Sequence, residues 1–160
     1  VGMKLLNLLK QKEIKMANEQ DLYSFLSMCE LFDEVKSKCV AASNAMVSVC
    51  AQAEENKDAS INLSKLADKR GQMIRFLESL QIKILEASQK QWETNRENQI
   101  CTQRMDHFNR GVIRWSLEME NLESLLQAKL EEQKTQTRAE LSQAFKKSKQ
   151  HKGYDLNNIR

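Results

Sequence analysis

Apolar positions recur along this chain at helical spacing. From about Asn18 to Glu55 a heptad-spaced stripe runs through Leu22, Phe25, Cys29, Phe32, Lys36, Cys39, Ser43, Met46, Cys50 and Ala53. A second stripe beside it contains Met28, Leu31, Val35, Ala42, Ala45 and Val49, and Leu26, Val40 and Val47 widen the face on the other side. One partner helix does not cover an apolar arc this wide. The segment therefore predicts a first helix over 18–55 packed between at least two neighbours, with Ala41, Ala42 and Ala45 allowing close approach. The stretch from Glu55 to Ser60 predicts a break. Asp58 or Ser60 is the expected N-cap, its side chain accepting hydrogen bonds from otherwise unpaired amides of the next helix.

Beyond that break, stepping alternately by three and four gives Leu63, Leu66, Arg70, Met73, Leu77, Leu80, Ile84, Ala87, Gln91, Thr94, Asn98, Cys101, Met105, Phe108, Val112, Trp115, Met119, Leu122 and Leu126. A sustained 3.5-residue period is the signature of helices wound around each other. The polar zone from Ser88 to Gln99 reads either as a hairpin turn between two antiparallel helices or as part of one helix. It contains neither glycine nor proline, and the stripe resumes in phase beyond it. These two features favour one continuous helix over 60–149, about 135 Å long at 1.5 Å per residue. Gly71 and Gly111 within it read as bends or close crossings. After Leu126 the phase shifts to Leu130, Leu141, Ala144 and Phe145, as in a stutter. Gly153 is the expected terminator, and 150–160 the expected flexible tail.

Residues 1–17 form a basic, partly amphipathic lead segment. Leu5, Leu6, Leu8, Leu9 and Met16 share one broad face, Lys4, Lys10 and Lys15 lie off or along its edges, and Met3 and Ile14 spoil the pattern. Such a helix suits a membrane interface and equally a protein groove.

Composition sharpens this picture. The 160 residues include no proline and only four glycines, although proline normally makes up about 5% of a chain. Few turns and long exposed helices follow. The formal net charge is +3, and charges of both signs are interleaved as on a solvated helix surface. The exception is a basic cluster at Lys146, Lys147, Lys149 and Lys152. It reads first as a helix end whose cations complement the helix dipole, and second as a site for an anionic membrane or acidic partner. No apolar run approaches the roughly 20 residues that cross a bilayer. With no signal-peptide cleavage pattern, the expected location is cytoplasmic.

Candidate chemistry is sparse. Cys29, Cys39, Cys50 and Cys101 form no CxxC pair, and spacings of ten and eleven match about three helical turns rather than metal-ligand pairs. They read as small buried hydrophobes kept reduced. His107 and His151 are too far apart to join in a local zinc site. There is no G-x-S-x-G, H-E-x-x-H or P-loop, and Glu118, Glu120 and Glu123 read as a solvated face with helical ion-pair partners. No cofactor, metal or catalytic residue is expected. Basic residues are not gathered on one helix face with aromatics between them, so nucleic acid is not an expected partner.

The sequence thus predicts an all-α protein, a long-helix antiparallel coiled coil or elongated helical bundle forming one elongated domain, most naturally a homodimer. Its expected self-association seam is Leu63, Leu66, Met73, Leu77, Leu80, Ile84, Cys101, Met105, Phe108, Val112, Trp115, Met119, Leu122 and Leu126. Trp92, beside the polar gap, is the expected surface for another protein. Lys4, Lys10, Lys15 and the four tail lysines are the expected contacts for membrane or acidic partner. The expected function is non-enzymatic scaffolding. The alternative is a peripheral membrane-binding helical dimer of the general kind seen in BAR domains, although those use three long helices where two are expected here. Spectrin-type repeats would require a break between Ser88 and Gln99, which the sequence does not signal.

Overall fold

In the computed structural model the chain is described over residues 2–52 and 57–157, with side chains for all of these except 2, 5, 57, 59, 60 and 149–157. Every described residue outside 89–94 is helical. Helix α1 spans Gly2–Gln52, α2 Lys57–Ser88 and α3 Asn95–Asn157. The protein is all-α.

α1 is the central element. α2 and α3 each pack along it and hardly approach one another. Asp21 pairs with Lys90 and Ser43 with Arg70, so α2 runs back along α1. Asp33 pairs with Arg104, and Ser43 lies beside Met119, so α3 runs in the same direction as α1. The first stripe of α1 is what both neighbours bury: Phe25, Cys29, Phe32, Cys39, Ser43, Met46 and Cys50 all lie inside. Phe32 sits edge-on to Phe108, with ring centroids 4.9 Å apart, and to Trp115 at 6.3 Å. Such aromatic pairs add about 1 kcal/mol each beyond the area they bury. The wide apolar arc thus has its two neighbours, but both come from the same chain.

Four sequence expectations are corrected here. The lead segment and the first helix are one element, since α1 is unbroken from Gly2 to Gln52. α2 begins at Lys57, which places Asp58 in its first turn rather than at the cap; an acidic residue there is favoured by the helix dipole. Ala53 and the rest of 53–56 lie outside the described residues. α3 continues to Asn157 through Gly153, so the expected tail from residue 150 is helical as far as Asn157. Glycine in a helix costs only about 1 kcal/mol relative to alanine; it ends a helix where the backbone needs positive φ, and no glycine here has one.

The largest correction concerns the expected continuous helix over 60–149, which is broken at residues 89–94. The reason is a reciprocal cap on α3. Glu97 N–H donates to Thr94 Oγ1 at 3.1 Å, and Thr94 N–H donates to Glu97 Oε2 at 3.2 Å. This is the capping box, T-x-x-E in the sequence. Asn98 Nδ2 donates to the Trp92 carbonyl at 3.2 Å, and Ser88 Oγ donates to the Leu85 carbonyl at 2.7 Å. The turn therefore satisfies its backbone with side chains and needs neither glycine nor proline. On either side of the turn, α2 and α3 each bury stripe positions in the common core.

Both long helices outrun the three-helix body. All described side chains of residues 3–17 are exposed, as are those of 134–148. The first of these segments extends beyond the 89–94 turn, which sits beside Asp21. The second extends beyond the other end, where Gln133 Nε2 donates to the Cys50 carbonyl.

Candidate functional surfaces

The fourteen stripe residues expected to hold two copies together are occupied within one chain. Leu77, Leu80, Ile84, Cys101, Phe108, Met119 and Leu126 are buried, and Met73, Met105, Val112 and Trp115 pack partly buried against the same core. Leu63 and Leu66 pack on the smaller cluster formed by Met46, Cys50 and Leu126, and Leu122 is half-buried. Only an unbroken helix would need a second copy along this seam. Folded at residues 89–94, it meets α1 twice.

Trp92 is a second correction. It is only 7% exposed and belongs to the main core, so it is no contact surface. The turn carries its indole inward, where the Lys90 ammonium sits 5.3 Å from the ring centroid while pairing with Asp21.

The basic residues are divided between the two projecting ends. Lys4, Lys10 and Lys15 are exposed on the free portion of α1, and Lys146 and Lys147 on the free portion of α3. The Lys149 and Lys152 side chains lie outside the described residues. No element brings the two groups together.

The thiols are buried and unbonded to one another. Burial pushes Cys29 up to about 11 and raises Cys39 and Cys50. A thiol held in its protonated form is a poor nucleophile and a poor metal ligand. Among the described residues there is no cluster of three or more metal-ligating side chains.

Asp33 is a carboxylate tied into the core edge. Burial pushes its pKa up, but hydrogen bonds from Arg104 at 2.7 Å and Lys36 at 3.1 Å outweigh this and hold it below the usual range. A cavity of about 250 Å³ opens nearby, lined by Lys36, His107, Arg110, Arg114 and Glu118 among others. Its cations are largely answered already, Lys36 by Asp33 and Arg110 by Asp106, and Glu118 adds a further negative charge. The cavity is therefore no strong anion receptor.

The surface features left over are apolar. A shallow groove between α1 and α2 is lined by Val35, Lys38, Lys69, Gln72, Met73 and Phe76. Leu6, Leu8, Leu9, Met16 and Tyr23 stand exposed on α1, and Leu141 and Phe145 on the free part of α3. Among the described residues no helix is long and apolar enough to cross a membrane. Comparison of the chain with family models, with curated proteins and with solved structures gives no match.

Proposed function

We propose that this chain is a non-enzymatic helical scaffold that self-associates and holds other proteins at a fixed spacing. The observation that carries this reading is the projecting part of α1, whose described apolar side chains, Leu6, Leu8, Leu9 and Met16 among them, are all exposed. Isolated apolar side chains on a surface need no explanation, but a contiguous patch of them marks a contact site. A helical segment without tertiary contacts is also marginal in water, so a partner on that face stabilises both. In this reading the chain is cytoplasmic and its first partner is another copy of itself. The test is the mass of the purified protein by light scattering over a concentration series. A dimer supports the reading, and a monomer at every concentration overturns it.

A second reading has its own observation. Both projecting ends are basic and carry exposed apolar residues, with Lys4, Lys10 and Lys15 beside Leu6 and Leu9 at one end and Lys146 and Lys147 beside Leu141 and Phe145 at the other. Paired basic and apolar contacts are what an anionic membrane surface takes. On this reading the chain is a BAR-like peripheral membrane-binding dimer. Co-sedimentation with vesicles containing phosphatidylserine, at low and physiological salt, decides it. Salt-sensitive binding supports membrane attachment, and no binding at low salt removes it.

A further inference from the structure

We propose that two copies pair through the N-terminal half of α1, antiparallel, about a two-fold axis beside Met16. The proposal rests on the self-associating reading above and names its surface. Leu9, Met16 and Tyr23 are seven residues apart and are 53%, 62% and 74% exposed. A spacing of seven keeps them in one stripe along the helix, as in a two-stranded seam. At 100° per residue Met16 lies half a turn around the helix from Phe25, which is fully buried against the body. The stripe therefore faces away from α2 and α3, and it runs without interruption from the projecting segment onto the body.

Charge selects both the occupant and its direction. Residues 2–17 carry Lys4, Lys10, Lys12 and Lys15 against a single acid, Glu13, whereas residues 18–35 carry Glu19, Asp21, Glu30, Asp33 and Glu34 and no Lys or Arg. Within the chain Asp21, Asp33 and Glu34 are matched by Lys90, Arg104 and Lys38. Glu19, Glu30 and Lys12 are exposed on the outward side of α1, and Lys15 is exposed on its flank. A second α1 laid antiparallel about Met16 sets Leu9 against Tyr23 of the other copy and Lys12 against its Glu19. Each basic half then lies on an acidic half, twice per dimer. A parallel arrangement stacks lysines on lysines and carboxylates on carboxylates. The antiparallel contact is isologous, so it closes at two copies instead of growing into a filament.

The test uses the full chain and single surface substitutions. Lys12→Glu and Glu19→Lys each place like charges together at two symmetric sites and weaken the dimer by about tenfold in Kd. The doubly reversed variant restores pairing, because each reversed group meets its reversed partner. In parallel, Leu9→Cys and Tyr23→Cys proteins are mixed under mild oxidation. The four native cysteines are buried, so they stay out of the reaction. Cross-linking between the two variants, with none within either alone, is the expected result. Self-linking of Leu9→Cys overturns the antiparallel arrangement. A wild-type dimer indifferent to both charge reversals overturns this surface while leaving self-association standing. A wild-type monomer overturns self-association itself, and this proposal with it.

Discussion

Arg70 of α2 places Nη2 2.6 Å from Glu123 Oε2 on α3, while its Nε donates to Ser43 Oγ on α1 at 2.9 Å. One side chain thus ties all three helices together, and it does so where α2 and α3 otherwise hardly meet. Ser43, itself buried, donates onward to the Cys39 carbonyl at 3.0 Å. A polar residue at a seam position fixes alignment at some cost in stability, and Arg70 sets the register of α2 against both neighbours.

Removing that tie leaves Ser43 Oγ with no donor from α2 and Glu123 without the guanidinium it pairs with. Arg70→Ala is expected to lower unfolding free energy by about 1–3 kcal/mol. Glu123→Gln costs less, because its side chain is 44% exposed and partly screened by water. Urea denaturation followed by circular dichroism separates the two, and equal losses contradict the three-way tie.

The Thr94–Glu97 cap decides that the chain turns at residues 89–94. Thr94→Ala is expected to destabilise the protein by about 1 kcal/mol, and Thr94→Asp to be nearly neutral, since Asp also caps. No loss from Thr94→Ala in the same denaturation assay would show that the turn is held by something else.

These two features mark the boundary of what the sequence made legible. The all-α class and the buried stripe from Phe25 to Cys50 follow from heptad spacing, because burial on a helix is set by angle and spacing alone. Neither proline nor glycine punctuates this turn, which is why the sequence favours a continuous helix over a hairpin there. The signal present, T-x-x-E at residues 94–97, works through side-chain hydrogen bonds instead. That one difference propagated. An unbroken helix cannot cover its own seam, so Leu77, Phe108 and their neighbours were assigned to a second copy, and Trp92 to an exposed surface. The contact face now proposed at Leu9, Met16 and Tyr23 is hard to read from sequence. Its departure from the core face is visible only once Phe25 and Phe32 are known to point at α2 and α3.

Two glycines inside helices offer a gain in stability. A Cβ added at Gly71 meets only Arg75 Nη1 at 3.7 Å, an ordinary contact, whereas at Gly111 it meets Lys36 Nζ at 3.1 Å. Gly71→Ala is expected to stabilise by up to about 1 kcal/mol through helix propensity. Gly111→Ala gains less, because Lys36 must shift and its pairing with Asp33 loosens. Thermal unfolding should rank the two in that order.

Cys29 predicts a sign for alkaline behaviour. Its folded-state pKa is raised to about 11 by burial, whereas an exposed thiol titrates near 8.5. The folded state then holds its proton more tightly, so this contribution is fully present below the unfolded value and is lost as pH rises through about 11. Stability should fall across that window, and Cys29→Ser should change the slope. Thiolate absorbance present at pH 9 in the folded protein and missing from Cys29→Ser contradicts the burial of Cys29.

Hydrogen exchange along α1 at low and high protein concentration tests the central claim most directly. The described side chains of residues 3–17 are all exposed within one chain, so amides there open at little cost in a monomer. Protection should appear with concentration over residues 3–17 and be absent from residues 134–148. Rapid exchange of residues 3–17 at every concentration, or protection gained only on the free part of α3, would contradict it.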